Sequence, residues 1–151
     1  MPSPVGHALG GAIVGLVCDR GSPVTGRALV RLREVLTSRL VVASAVAGVL
    51  PDLDFLWGRH NMETHSLGAA MLAGLAVWLW RGGHRRIALA IVLAWASHVL
   101  FDWLGSDDTP PLGVMAFWPA SSAFYFADAF VFEAISRRYW LAGFWRHNAW
   151  A

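Results

Sequence analysis

The sequence predicts an all-α fold, a small integral-membrane bundle of about five apolar helices. Three observations carry this expectation. Hydrophobic residues make up 56% of the 151 positions and charged residues 15%, where a soluble domain carries roughly a quarter charged. The apolar residues fall into long blocks divided by short stretches rich in Gly, Pro and Arg, and no block alternates with the two-residue period of a half-buried strand. The blocks also approach membrane length, since eighteen helical residues rise ~27 Å against a hydrocarbon core of ~30 Å. One domain, 1–151, accounts for the whole chain. An unusually apolar soluble bundle is the alternative.

The first block, about 5–17, is rich in small residues, and its Gly11-x-x-x-Gly15 spacing suits close helix packing. It is short for a crossing. It also lacks a basic leader, and Cys18 lacks the small residue that a lipoprotein cleavage site needs before it, so the block is expected to stay in the mature fold. An Arg-rich connection follows, marked as a loop by Gly21, Pro23 and Gly26. The second block, about 35–50, stops at Pro51. The third, about 64–80, ends in Arg81-Gly82-Gly83-His84-Arg85-Arg86, and the fourth, about 87–104, is broken by Gly105 and the Asp107–Gly113 stretch. The fifth is about 120–135, followed by Arg137, Arg138 and an aromatic tail.

All twelve basic residues are Arg, and the net charge is only +2, too small to argue for nucleic acid. A single cysteine excludes an internal disulfide and disfavours a thiolate metal site. In an up-and-down bundle the five Arg between blocks one and two, the three between three and four, and the three after five share one side. Only Arg59 falls on the other. Eleven against one predicts an N-terminus outside and a C-terminus in the cytoplasm, with Trp57, Trp103 and Trp118 at the outer interface and Trp78, Trp80, Trp140 and Trp145 at the inner one.

Residues 51–66, PDLDFLWGRHNMETHS, bring Asp52, Asp54, His60 and His65 together between apolar blocks. Oxygen and imidazole are the ligands that zinc and similar dications take. His98 and Asp102, four apart in an apolar helix, share one of its faces, and such a pair is costly there unless something binds it. With His7 at the start of the first helix, these groups all reach the extracytoplasmic end. His7, Asp52, Asp54, His65, His98 and Asp102 are therefore the expected metal ligands, although His7 alone would read as a buried core histidine.

Asp54 is as able to orient a ligand or activate water as to bind directly. His60 is a loop residue, a ligand or a proton-transfer group, so Asp54 and His60 are the catalytic candidates. Asp102 can bridge two ions through its two oxygens. Asp107 and Asp108 read as solvated or as holding a further ion, Asp128 as lining the cavity, and Glu133 as pairing with Arg137. His84 and His147 fall on the basic side.

These motifs resemble the YdjM-like family of inner-membrane, metal-dependent hydrolases. The landmarks that match are His7 with Gly10 and Gly11, Pro51–Asp54, His60–Ser66, Ser97–Asp102 and Trp118-Pro119. Asn61 and Met62 stand where the family usually has Arg and Gly. The resemblance implies a distant likeness to the zinc-dependent phospholipases C and related nucleases. It maps His7, Asp52 or Asp54, His65, His98 and Asp102 onto two of their three sites. The third needs two more His and a Glu downstream, and no His lies between 98 and 147, so one or two zinc ions are expected.

The expectation is thus an inner-membrane, multi-pass hydrolase. Zinc-activated water would attack a phosphoester, possibly a lipid-linked one, at the outer face, with membrane lipids and that substrate as partners. The alternative is a non-catalytic metal-binding or transporting membrane protein. A third reading is a scaffold whose Arg-rich face serves a partner or anionic lipid.

Overall fold

The structure is a computed structural model and describes residues 2–19, 37–58, 60–107, 110–128, 130–133, 143, 146 and 148. Four α-helices stand among them, α1 (Pro4–Cys18), α2 (Arg39–Val49), α3 (Leu67–Trp80) and α4 (Arg85–Trp103), with a 3₁₀ helix over Leu50–Trp57. Capping residues set several of the boundaries. Ser3 caps α1 by accepting from the Gly6 N–H, with Pro4 as the first helical residue, where a missing N–H costs nothing. Ser66 caps α3 by accepting from the Ala69 N–H at 3.0 Å. α2 ends where Pro51 cannot donate to the helix, and the chain tightens into the 3₁₀ helix.

α4 packs against α1, α2 and α3, and α1 lies along α2. Glycine makes the α1–α2 approach possible. A Cβ at Gly11 would meet the Ser44 carbonyl oxygen at 2.2 Å, and one at Gly15 would meet Val41 Cα at 2.7 Å. The Gly11-x-x-x-Gly15 face is therefore a true contact face. Ala47, Ile91 and Ala94 form the buried core, with Val14, Ala43, Ala73 and Val77 around it. The outward faces are apolar as well: Leu9 and Ile13 on α1, Val46 on α2, Met71 and Leu75 on α3, and Leu93 on α4 are all exposed. Such wide apolar exposure exceeds the patches that soluble monomers carry.

The chain runs up and down. The start of α1, the end of α2, the start of α3 and the end of α4 meet at one end, where His7, Gly48, His65 and His98 are in contact. At the other end Arg86, at the start of α4, donates to the Cys18 carbonyl and pairs with Asp19 at 3.5 Å. Trp80 and Trp103 sit at opposite ends, both exposed.

The expected fifth helix does not appear among the described residues. The described residues of 120–133 are extended or turning. Val114 and Tyr125 exchange two backbone hydrogen bonds of 2.9 Å, and Ala127 and Val131 donate to Trp103 and Leu104. Aromatic residues at 124–126 suit this ladder better than a helix. Glu133 is exposed and outside any described helix, and its expected partner Arg137 lies outside the described residues. Placing Arg137, Arg138 and Arg146 at the Arg-rich end, and the C-terminus in the cytoplasm, depended on that crossing. Arg137, Arg138, Trp140, Trp145 and His147 lie outside the described residues, as does the connection 20–36. Among the described residues only α4, with 19 residues, is long and apolar enough to cross a membrane; α1 and α3 are shorter apolar helices.

Candidate metal centre

The site starts from carbonyls that helices leave unpaired. The last turn of α2 has orphan C=O groups, and the Gly48 carbonyl accepts from His98 Nδ1 at 2.8 Å. A carbonyl oxygen cannot donate, so His98 carries its proton on Nδ1 and turns a bare Nε2 inward. His65 is held likewise. Its Nδ1 faces Asp54 Oδ2 at 3.0 Å, which leaves Nε2 pointing inward too.

The two Nε2 atoms converge on carboxylates. Asp102 Oδ2 lies 2.9 Å from His98 Nε2 and 3.4 Å from His65 Nε2, and Asp52 Oδ1 lies 3.7 Å from each. A tetrahedral ion with ~2.0–2.1 Å bonds needs donors about 3.3 Å apart. The other oxygen of Asp102 lies 3.2 Å from His7 Nε2, and the His7 ring stacks on His98 with centroids 3.7 Å apart. Asp102 thus faces two donor sets with two different oxygens. Grouped by mutual proximity of ligand atoms, His7, His98 and Asp102 form one candidate set, and Asp52, His60 and His65 a second. His98 therefore stands between the two.

Burial makes the arrangement costly without a cation. His7, His65, His98 and Asp102 are at most 2% exposed. Among the described residues, Nε2 of His65 and His98 and both oxygens of Asp102 have no hydrogen-bond partner. Unprotonated nitrogens aimed at carboxylate oxygens repel one another unless a positive charge, a proton on the imidazole or a metal ion, lies between them. The donors present, imidazole nitrogen and carboxylate oxygen, fit a zinc-type dication.

Asp54 has another place in the site. Its Oδ1 takes His60 Nδ1 at 2.8 Å and its Oδ2 takes the Thr64 hydroxyl at 2.7 Å. With both oxygens engaged and no exposure, Asp54 orients His60 and His65. Burial pushes its carboxyl pKa up, but hydrogen bonds from His60, His65 and Thr64 outweigh that and hold it well below the usual range. Burial likewise lowers His65, yet Asp52, Asp54 and Asp102 together raise it to about 9. The field at this imidazole is strongly negative. His60 stacks on Phe55 and, like Asp52, keeps a side chain 14% exposed, so this pair forms the side of the site nearest solvent.

Several contributors carry no signal in the sequence. Trp95 donates its indole N–H to the Thr64 carbonyl at 2.8 Å and ties the 60–66 loop to α4. Asn61, with φ +66°, donates to Asp107 Oδ2 at 3.1 Å and accepts from the Met115 N–H. Asn61 therefore serves as a loop clamp. Asp107 belongs to that clamp, since the Gly113 N–H also donates to it. Asp128 is exposed on a bend and lines no cavity around these ligands, and Asp108 lies outside the described residues.

The family model described as YdjM inner membrane protein matches residues 1–150, so the chain belongs to that family. No curated protein and no solved structure matches it.

Proposed function

We propose that this member of the YdjM inner membrane protein family is a metal-dependent hydrolase that cleaves a phosphoester, its site facing the extracytoplasmic side. The observation that supports the reading most is Asp102, a buried carboxylate facing His98 and His65 with one oxygen and His7 with the other. A dication held there would supply Lewis-acid charge and make water acidic enough to attack near neutral pH. His65, His98, Asp52 and Asp102 would hold one zinc ion and His7 with Asp102 a second. Asp54 fixes His65 and His60 and excludes water behind them. His60, with Nδ1 on Asp54 and a buried, unpartnered Nε2 beside Asp52 and His65, would relay a proton or join the ligands.

The surrounding apolar surface favours a lipid-linked or membrane-proximal substrate. The near-complete burial of the ligands favours a second reading, a non-catalytic metal-binding protein in which the ion fastens the four helices. Metal analysis of the purified protein, followed by a phosphodiester and phospholipid hydrolysis screen, separates the two. Zinc-dependent turnover that is lost in His60→Gln with metal retained supports the hydrolase. Bound zinc with no turnover on any phosphoester sinks it.

Membrane sidedness has its own check. Cys18, the only thiol, lies at the Arg-rich end, so a membrane-impermeant thiol reagent added to intact cells should miss it. The same reagent should label Ser122→Cys, an exposed position in the stretch after α4. The reverse pattern overturns the proposed side.

A further inference from the structure

The Arg-rich end holds a cavity of about 680 Å³ between α2, α3 and α4, well inside the size range of small-molecule sites. Its mouth carries Arg39, Arg81, Arg85 and Arg86 with His84, and Asp19 is the one carboxylate among the described residues that line it. Asp19 is already engaged by Arg86 and by the Ser38 hydroxyl, and Arg81 lies over the Trp80 ring. Arg39 and Arg85 make no ion pair among the described residues.

Two helix N-termini point at the same place. Ser38 would ordinarily cap α2, but its hydroxyl is turned to Asp19 and caps nothing. His84, before α4, makes no side-chain cap either. First-turn N–H groups and the positive ends of two helix dipoles therefore join the arginines, a combination that favours an anion. Deeper in, the wall changes character, with Leu40, Val77 and Ile91 apolar. Free phosphate would leave that wall wet, whereas a lipid covers it.

We propose that this cavity binds one anionic phospholipid, its phosphodiester headgroup held by Arg39 and Arg85 between the starts of α2 and α4 and its acyl part lying on Leu40, Val77 and Ile91. Arg offers the planar fork that a phosphodiester accepts in bidentate fashion. The site lies at the opposite end of the bundle from the His and Asp ligands and does not depend on their chemistry.

The test uses the full-length protein in detergent, with lipid retention counted by native mass spectrometry. Phosphatidylglycerol, phosphatidylcholine and inorganic phosphate are added in separate arms. One phosphatidylglycerol should be retained per chain, with at least tenfold preference over phosphatidylcholine, and millimolar phosphate should not displace it. Arg39→Gln/Arg85→Gln should weaken retention at least tenfold. Arg146→Gln, which removes one arginine charge at an exposed position outside the cavity, should change it less than twofold, where the single Arg85→Gln should weaken it more. Circular dichroism and gel-filtration elution of each variant confirm that the fold is intact, and the single Arg85→Gln variant, at an exposed side chain, serves if the double variant fails to accumulate. Equal retention of the two lipids, an equal effect of Arg146→Gln, or displacement by inorganic phosphate would each overturn the proposal.

Discussion

The two ends of the bundle handle charge in opposite ways. At the His/Asp end, carboxylates and imidazoles are sealed from water and held by second partners: Gly48 fixes His98, and Asp54 fixes His65. At the Arg end the described guanidinium side chains are exposed, and the one ion pair among the described residues there, Arg86 with Asp19, has an arginine that is 51% exposed. Burial makes such charges depend on a local counter-charge, a proton or a metal ion, because the desolvation of each group must be offset locally. Exposure leaves the arginines free to be satisfied by water or headgroups. Substitutions of equal size should therefore have very unequal effects at the two ends.

The sharpest way to break this contrast is Asp102→Ala. It removes the carboxylate shared by both donor sets, so the purified variant should lose both ions under limiting zinc. The histidines left without it should lower stability by about 3–5 kcal/mol, as when one member of a buried ionic cluster is deleted. His7→Ala should lose only the second ion. Unchanged metal in both Asp102→Ala and His98→Ala would defeat the metal reading.

Next in size is Asp54→Asn, which keeps the ligands but alters how His65 is held. Metal affinity should fall by about 10–100-fold, the usual effect of losing a group that orients a ligand, measured by competition with a chelator of known affinity. Gly48→Ala probes the scaffold between the ends. A Cβ there would meet the His7 carbonyl oxygen at 2.5 Å, so chemical denaturation should show a loss of about 1–3 kcal/mol from overpacking. The smallest effect belongs to the Arg end. Arg86→Gln removes a largely exposed ion pair, and stability should change by less than about 1 kcal/mol and shrink further in high salt. An effect there as large as that of Asp102→Ala would erase the distinction.

The buried His and Asp groups that meet at one end were readable in the sequence because their cues were local and chemical. PDLD, THS and the His98/Asp102 spacing name donor atoms, and the four apolar blocks fix which ends they share. Residues 120–133 were harder. An apolar run of that length has no periodicity that separates a buried helix from extended chain. What decides against the helix is the pairing with Trp103, Leu104 and Val114, contacts between distant parts of the sequence. The same holds for the Gly48 carbonyl and the Trp95 indole. Their contributions exist only once α2 and α4 are packed, and neither residue type suggests a site.

Gly48 also sets how the site answers to force. Its carbonyl fixes the proton on His98, and its bare Cα is where the α1 backbone passes at His7. One residue thus joins the spacing of two helices to the basicity of an inward-facing nitrogen in the candidate metal centre. Any lateral strain that parts α1 from α2 must shift His7 and loosen the support of His98 together. The fit of this candidate centre to a cation would in that sense be a gauge of the pressure on the bundle around it.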